Sequence, residues 1–166
     1  VGDLPDSSLV SVRLADNRRL CVAAPAYLQR AGVPATPMAL MRHACLTLSS
    51  DASQTRGWAF QVDGEVTHLR PGGPLDCSDG QVLHDWCLRG LGLAWRSTWE
   101  VEQDVAAGRL QVVLEDFAAP ANGIFAVFPQ RKHLPLRVRL WIDFIKHSYG
   151  DPRYWSGSGS GSGERL

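Results

Sequence analysis

The sequence predicts an α/β domain, because short apolar strands alternate with helical segments along most of the chain. Residues 76–117 carry most of this information, since they contain two helix starts that each follow a short extended segment. In open α/β sheets, ligands bind in the crevice where strands lead into helices. The same stretch therefore predicts a pocket for a small molecule.

The length and composition of the chain exclude several classes of protein. With 166 residues, the chain is long enough for one domain with a hydrophobic core. Lys plus Arg equals Asp plus Glu at 17 each, and this zero formal charge argues against a nucleic-acid surface on this part of the protein. No apolar run reaches membrane-spanning length and no signal peptide leads the chain, so we expect a cytoplasmic protein. The chain starts at Val1 rather than at a Met, which indicates a fragment or a processed product.

The first part of the chain predicts four strands and two short helices. Pro25 and Pro37 stand at the first position of the two helices, where the missing N–H costs nothing. Asp63-Gly64 is a strong signal for a tight hairpin turn. The predicted elements are strand 20–23, helix 26–31, helix 38–43, strand 45–48 and the hairpin strands 58–62 and 65–70.

The first helix start of the informative stretch is predicted at Ser78, whose hydroxyl can accept from the free N–H groups of the first turn. Gln81 completes an S-x-x-Q capping box, and Cys77 and Val82 stand at the positions of a hydrophobic staple. A buried stripe is expected to follow, and then glycines that can end the helix in a left-handed conformation. These residues are Val82, Leu83, Trp86, Cys87 and Leu91 in the stripe, and Gly90 and Gly92 at the end.

The second helix start is an S-x-x-E capping box formed by Ser97 and Glu100. Residues 91–95 before it are predicted to form a short strand, with Trp95 at its carboxyl end beside Arg96. A Trp in such a place is most often part of the core. A Trp and an Arg side by side can also line a pocket that holds an acidic or aromatic ligand.

The last part of the chain predicts two more strands, 110–114 and 124–128, and the longest helix, from residue 135 to about residue 149. The Ser-Gly pairs of residues 156–163 are typical of an engineered flexible linker, and residues 164–166 follow it. The stripe of the long helix that we expect to be buried consists of Val138, Trp141, Ile142, Ile145 and Tyr149.

The cysteines Cys21, Cys45, Cys77 and Cys87 each lie among apolar neighbours and show no C-x-x-C or zinc-finger spacing. We expect reduced core cysteines, with neither a disulfide nor a metal site. No sequence motif indicates a cofactor, so none is expected.

The chain resembles the effector-binding domain of LysR-type transcriptional regulators. The order and spacing of several segments carry the resemblance over residues 1–155, although no single segment is specific. The matching segments are Ala-Ala-Pro-Ala-Tyr-Leu at 23–28, Ser-Asp-Gly-Gln-Val-Leu-His-Asp-Trp-Cys-Leu-Arg-Gly-Leu-Gly-Leu at 78–93, Gly-Arg-Leu-Gln-Val-Val-Leu at 108–114, Ala-Val-Phe-Pro-Gln-Arg at 126–131 and Leu-Pro-Leu-Arg-Val-Arg-Leu-Trp-Ile-Asp-Phe at 134–144.

The resemblance implies a Rossmann-like, two-lobed α/β fold like that of periplasmic binding proteins. About residues 20–125 would form a largely complete second lobe. Residues 1–19 and 126–155 would belong to the hinge and to a first lobe that lacks its other strands. The resemblance also implies that the helix-turn-helix that binds DNA is missing from this chain. Residues 164–166 are either the restart of the first strand of lobe one, as in a circular permutation, or an expression scar.

The resemblance places the strand end at 48–50 and the turns at 77–80 and 94–97 around the effector. Ser78 stands where the family often has Asn, which leaves the identity of the effector open. The helix start at Ser78 could bind an anionic group, although an ordinary capped helix explains it equally. The expected effector-binding residues are Leu48, Ser49, Ser50, Cys77, Ser78, Asp79, Gly80, Trp95, Arg96 and Ser97.

The implied function is that of a sensor that binds a small molecule, with a carboxylate as the candidate class, and performs no chemistry. The expected partners are this effector, the missing segment of lobe one, which another chain could supply, and further copies in the full-length protein. DNA would be bound only through the absent helix-turn-helix, and no membrane is involved. The alternative is a solute-binding protein of a transport system, and a module that binds another protein is a further one. An enzyme is disfavoured, because Cys87 falls on the stripe that we expect to be buried, and adjacent helix residues such as His84 and Asp85 do not face each other.

Overall fold

The computed structural model describes residues 9–49, 56–129 and 135–150. Within these ranges, Arg18–Ala121 form one compact unit, and the segments up to Asn17 and from Asn122 onward form a second. The predictions about Ser50, about the Ser-Gly run and about residues 164–166 lie outside the described residues. None of the described helices is long and apolar enough to cross a membrane.

The observed elements alternate as an α/β chain does. The strands are β1 (Leu9–Asn17), β2 (Arg19–Ala23), β3 (Leu46–Leu48), β4 (Trp58–Val62), β5 (Glu65–Leu69), β6 (Leu75–Cys77), β7 (Ala94–Ser97), β8 (Gln111–Val113) and β9 (Asn122–Pro129). The helices are α1 (Pro25–Ala31), α2 (Gly80–Leu88), α3 (Thr98–Ala106) and α4 (Leu136–Gly150), with 3₁₀ helices at Pro37–Arg42 and Glu115–Phe117.

The pairing of five strands organises the first unit. Strand β2 pairs antiparallel with both β7 and β8, and β3 pairs parallel with β6. A parallel bridge between Cys45 and Leu93 joins β3 to the start of β7. There the Leu46 N–H donates to the Leu93 carbonyl at 2.8 Å, and the Leu93 N–H donates to the Ala44 carbonyl at 2.9 Å. Because β6, β3 and β7 run in the same direction, their carboxyl ends meet at one edge.

The two faces of this strand array bury two separate apolar clusters, since successive side chains of a strand point to opposite faces. One cluster contains Trp58, Phe60 and Trp95, and the hairpin of β4 and β5 supplies part of it. The other contains Leu46, Leu83 and further residues from α2 and α3. Each large side chain buried in this way contributes about 1.5–3 kcal/mol to stability.

The second unit consists, in its described part, of an antiparallel strand pair and one helix. Strand β1 pairs with β9 from Leu9 opposite Pro129 to Asn17 opposite Asn122, with an irregularity between Arg13 and Ala15. Helix α4 packs against β1. Strand β1 was not among the elements that the sequence predicted.

The expected stripe of α4 is only partly correct. Ile142 is 7% exposed, and Val138 and Ile145 are partly buried, as predicted. Trp141 is 59% exposed, so the prediction that it is buried is wrong. The side chain of Tyr149 lies outside the described residues.

Most elements of the first unit follow their sequence signals. Helix α1 begins at Pro25 and is followed by Gly32 at a φ of 82°, as predicted. The hairpin turn has positive φ at both Asp63 and Gly64, which is the conformation that tight hairpins favour. The segment predicted as a helix at 38–43 is instead a 3₁₀ helix, which begins at Pro37.

Strand β7 begins three residues later than predicted, and Gly92 explains the difference. Gly90 adopts a φ of 72° and ends α2, as expected, but Gly92 does not adopt positive φ. A Cβ atom on Gly92 would lie 2.5 Å from the Ala44 carbonyl oxygen. Gly92 therefore permits a close backbone approach rather than a left-handed turn, and regular strand pairing starts only after it.

We predict that Gly92→Ala lowers the free energy of unfolding by about 1–3 kcal/mol, because the added methyl group meets a backbone oxygen that cannot move away. Chemical denaturation measures this loss. Gly72→Ala is the matched control, since nothing lies within 4 Å of a Cβ atom there. Equal stability of the two variants would contradict the close approach.

Candidate functional site

The residue that caps α2 is Asp79 and not Ser78. The Asp79 carboxylate accepts from the Gln81 N–H at 2.7 Å and from the Val82 N–H at 3.1 Å. A carboxylate is a stronger acceptor than a hydroxyl and is also favoured by the positive end of the helix. This shift of one residue removes the predicted S-x-x-Q capping box.

The hydrophobic staple at this helix start is also wrong. With Asp79 at the cap, Cys77 no longer stands directly before the cap residue, and Val82 is 39% exposed. The Gln81 side chain donates instead to the Asp85 carboxylate, at 3.3 Å. Of the predicted buried stripe, Leu83 and Cys87 are buried, Trp86 is partly buried and Leu91 is exposed.

The strand edge brings several predicted effector residues together. Leu48 and Cys77 are register partners at the ends of β3 and β6. Both the N–H and the hydroxyl of Ser49 donate to the Cys77 carbonyl, at 2.8 and 3.0 Å. The Cys77 thiol donates to the Asp79 carbonyl at 3.2 Å. These bonds tie the turn before α2 to the end of β3.

Arg96 is the charged group at the floor of the site. Arg96 is only 6% exposed, and its Nη2 donates to Glu100 Oε1 at 2.8 Å. Its Nε is buried and has no hydrogen-bond partner among the residues that the structure describes. A Cβ atom on Gly80 would lie 3.3 Å from Arg96 Nη2, so the guanidinium lies directly against the first turn of α2.

The start of α3 has the geometry that the sequence predicted. Ser97 and Glu100 form the capping box, in which Glu100 Oε2 accepts from the Ser97 N–H at 2.9 Å. Glu100 therefore uses one carboxylate oxygen for the helix start and the other for Arg96. A change that breaks the contact of Glu100 with Arg96 would therefore also disturb its contact with the Ser97 N–H, and the reverse also holds.

Trp95 does not share a pocket with Arg96, which corrects one predicted reading of this pair. The two residues are neighbours on β7, and their side chains belong to opposite faces. Trp95 is 5% exposed and stacks on Trp58, with ring centroids 6.5 Å apart. The Arg19 guanidinium lies 4.8 Å from the Trp95 ring. Trp95 is thus part of the apolar core.

An open groove of about 430 Å³ lies between α2 and α3. Arg96 and Gly80 are the two predicted effector residues that line it. The other lining residues, which sequence reasoning missed, are Gln81, His84, Trp99, Glu100, Gln103 and Asp104. Trp99 and Gln103 stand four residues apart on α3, so helical spacing was the one signal that could have placed them on a common face.

A second charged cluster joins the two helices at the far part of the groove. His84 Nε2 lies 2.7 Å from Asp104 Oδ2, and Arg109 Nε donates to Asp104 Oδ1 at 2.6 Å. Burial raises the pKa of Asp104, but the hydrogen bonds and charges of Arg109 and His84 outweigh it and lower the pKa below its usual value. His84 therefore has a structural partner across the groove, and it does not face Cys87 as a catalytic base would.

Comparison with known proteins identifies the family. The family model of the LysR substrate binding domain matches residues 1–150. The chain belongs to this family. It is 29% identical over 151 residues to the HTH-type transcriptional regulator DmlR of Escherichia coli K12, covering 91% of this chain and 49% of DmlR. It is 31% identical over 144 residues to the HTH-type transcriptional activator TtdR of the same strain, covering 86% and 46%.

A solved LysR-type structure confirms the fold. The regulatory domain of CrgA from Neisseria meningitidis matches with a TM-score of 0.75 and 30% identity, covering 90% of this chain and 72% of that chain. The predicted two-lobed α/β fold, like that of periplasmic binding proteins, is thereby confirmed. The prediction that this chain is the effector-binding domain of a LysR-type transcriptional regulator is confirmed as well. The chain spans about half the length of the curated relatives it matches.

The cysteines of this LysR domain are free within the described residues. Burial raises the pKa of Cys21, and it raises the pKa of Cys45 and of Cys87 to about 12, which keeps these thiols protonated and unreactive. Cys77 is only partly buried, at the end of β6, so the expectation of a core position is wrong for it.

We predict that Asp104 makes the stability of the domain fall at acid pH. Because the folded-state pKa of Asp104 is lowered, its contribution is present above the pKa of the unfolded chain, about 4, and is lost as the pH falls through the lower folded-state value. Asp104→Asn should be less stable than the wild type at neutral pH and should show a smaller decrease on acidification. Urea denaturation at a series of pH values below about 5 measures both effects.

Asp63→Asn is the control, since it makes the same change of charge at an exposed residue of the hairpin turn. It should retain the pH dependence of the wild type. If Asp104→Asn and the wild type lose stability in parallel, the cluster does not hold the Asp104 carboxylate in its charged form.

Proposed function

We propose that this domain senses a small anionic effector, such as a carboxylate, which it binds beside Arg96 and does not transform. The observation that carries the proposal is the buried Arg96 guanidinium, whose Nε lacks a partner within the described residues. A buried polar group without a partner costs about 1–3 kcal/mol. A ligand oxygen that reached this donor would recover that free energy.

The surroundings of Arg96 favour a compact acceptor. Gly80 has no side chain between the guanidinium and the first turn of α2, and a helix start carries a partial positive charge. Asp79 already occupies the N–H groups of Gln81 and Val82, so the helix start alone would not bind an anion. Arg96 provides the charge that the helix start lacks.

The strand edge would hold the rest of the effector. Ser49, Cys77 and Ser78 lie at the ends of β3 and β6, and the open groove leads away from Gly80 along α2. We assign Leu48, Ser97 and Asp79 to the support of this edge rather than to direct contacts. Trp95, with its ring in the opposite cluster, would act on Arg96 only through the strand that both share.

Glu100 couples the proposed site to the position of α3. An effector carboxylate would compete with Glu100 for Arg96, and Glu100 also accepts from the Ser97 N–H at the start of α3. If Glu100 lost its contact with Arg96, its carboxylate could shift, and the hydrogen bond to the Ser97 N–H would change with it. The effector would thus favour one arrangement of α3, which is the kind of bias that a sensor passes on.

In the full-length regulator, this domain would act together with parts that the chain does not contain. The curated relatives are HTH-type regulators and are about twice as long, which supports DNA binding by a separate helix-turn-helix segment. We assign the unit Arg18–Ala121 to the second lobe, and β1, β9 and α4 to the first lobe and hinge. The protein would work in the cytoplasm as a homo-oligomer, and the rest of lobe one would complete the effector site.

We predict that Arg96→Gln weakens the binding of the best ligand from a panel of acetate, succinate, glutarate and benzoate at least about tenfold. Loss of a hydrogen bond to a charged group has an effect of this size. Arg96→Lys keeps the charge but removes Nε, and it should weaken binding as well. Isothermal titration calorimetry measures the dissociation constants, and thermal unfolding checks that each variant is folded.

Arg109→Gln is the matched control, because it removes the same charge from an Arg that pairs with Asp104 outside the lining of the groove. It should bind like the wild type. Failure of all four compounds to bind, or equal weakening by Arg96→Gln and Arg109→Gln, would overturn the carboxylate site at Arg96.

A further inference from the structure

The groove between α2 and α3 extends beyond the effector contact that we propose at Arg96. All of its lining residues belong to the unit Arg18–Ala121, so both of its walls are formed by this unit. Its volume of about 430 Å³ is that of a site for a small organic molecule rather than for a single carboxylate group. The polar groups along the groove therefore determine which further group of an effector fits there.

Two charged contacts mark the ends of the groove. At the near end, Arg96 Nη2 donates to Glu100 Oε1 at 2.8 Å, and at the far end His84 Nε2 lies 2.7 Å from Asp104 Oδ2. Glu100 and Asp104 are four residues apart on α3, and four residues of an α-helix span about 6 Å. Gly80, which lies against Arg96, and His84 are separated by the same interval on α2. The near end and the far end are therefore about 6 Å apart along both helices.

The fixed charge that faces a ligand at the far end is negative. Of the Asp, Glu, Lys and Arg residues that line the groove, Glu100 and Asp104 are carboxylates and Arg96 is the one cation, at the near end. The pKa of Asp104 lies below its usual value, so this carboxylate is charged at neutral pH. Arg109 pairs with Asp104 but is not among the lining residues, and its side chain is 57% exposed. His84 carries a charge only when it is protonated.

The far end also has unused acceptor capacity. His84 Nε2 contacts Oδ2 of Asp104, and Arg109 Nε donates to Oδ1 at 2.6 Å. A carboxylate offers about four acceptor positions, so these two contacts leave room on both oxygens. Gln103 lines the groove in the same turn of α3 and adds an amide oxygen. This set of acceptors favours a ligand group that donates several hydrogen bonds and carries a positive charge, as an ammonium group does.

Trp99 supplies the apolar part of the groove wall. It stands one turn before Gln103 on α3, lines the groove and is 44% exposed. A methylene chain that lies on this ring loses contact with water, which is favourable. The wall therefore suits an apolar spacer between the two polar ends of a ligand.

We propose that the groove recognises an ω-amino monocarboxylate, whose carboxylate binds Arg96 and whose ammonium group lies beside Asp104 and Gln103. The buried Arg96 Nε, which has no partner within the described residues, marks the carboxylate end independently of the acidic far end. The separation of about 6 Å corresponds to about three or four methylene groups between the two charged groups. A second carboxylate is disfavoured, because it would meet the charge of Asp104. The inference rests on the proposed contact at Arg96 and adds the class of effector.

Isothermal titration calorimetry with butyrate, γ-aminobutyrate and glutarate tests this inference, because the three compounds share one carboxylate and differ at the other end. We expect γ-aminobutyrate to bind at least about tenfold more tightly than butyrate, since a charged hydrogen bond has an effect of this size. Glutarate should bind more weakly than γ-aminobutyrate. Arg96→Gln should weaken the binding of butyrate and of γ-aminobutyrate alike, because both use the same carboxylate contact.

Two variants change the charge of the far end. Gln103→Lys places a cation there and should reverse the order, so that glutarate binds more tightly than γ-aminobutyrate. Asp104→Asn should remove most of the preference for γ-aminobutyrate over butyrate. Gln29→Lys is the matched control, since it makes the same change at an exposed residue of α1 outside the groove lining, and it should keep the wild-type order. Thermal unfolding checks that each variant is folded, and Gln103 is exposed, so its replacement leaves the core intact.

The outcomes separate this inference from the proposed carboxylate site. If the wild type binds butyrate and γ-aminobutyrate equally and Arg96→Gln weakens both, the inference is overturned and the site at Arg96 stands. Tighter binding of glutarate than of γ-aminobutyrate by the wild type also overturns it, as does an unchanged order in Gln103→Lys. If none of the three compounds binds, the inference and the carboxylate site fail together.

Discussion

The close backbone approach between Gly92 and Ala44 is the constraint on which the arrangement of the site depends. It allows the Leu93 and Leu46 N–H groups to bridge β3 and the start of β7, and this bridge joins the parallel pair β3–β6 to the antiparallel strands β2 and β8. The carboxyl ends of β6, β3 and β7 meet at one edge only because this connection exists. Helices α2 and α3 begin directly after two of these ends, and the groove lies between them. The position of the candidate site is thus a consequence of strand pairing more than of any residue in the groove.

The sequence predicted the elements whose signals are local. Pro25 and Gly32 bound α1, Asp63 and Gly64 form the hairpin turn, and Ser97 with Glu100 starts α3, because each of these features depends on residues within one or two turns of chain. The errors occur where the conformation or the exposure of a residue depends on a contact with a residue that is distant in the sequence. The role of Gly92 depends on a carbonyl 48 residues earlier in the chain, at Ala44, and the exposure of Trp141 depends on what α4 does or does not contact. Neither fact can be read from periodicity.

The sequence predicted which turns come together at the site, but it did not predict the side-chain contacts within the site. The strand ends that the family resemblance indicated, at Leu48, Cys77 and Ser97, do lie at one edge. The sequence could not distinguish Ser78 from Asp79 as the cap of α2, since both can accept from a helix start and the charged acceptor prevails only in the folded geometry. It also placed Trp95 beside Arg96, although adjacent strand residues face opposite sides. The partner of His84, Asp104, lies on α3, and only the packing of α2 against α3 brings these two side chains within reach.

Two acidic residues of α3, four positions apart, pair with the basic side chains that line or adjoin the groove. Glu100 holds Arg96 at one end and Asp104 holds His84 and Arg109 at the other, so α3 is attached to the strand floor and to α2 by charged contacts rather than by apolar packing alone. A partly buried ion pair such as Arg96 with Glu100 adds little net stability, because desolvation offsets much of the attraction, and a competing anion would weaken it further. An apolar contact would bind α3 more firmly and would not respond to an anion. Of the contacts that hold α3, the Arg96–Glu100 pair is therefore the one that the proposed anionic effector would weaken.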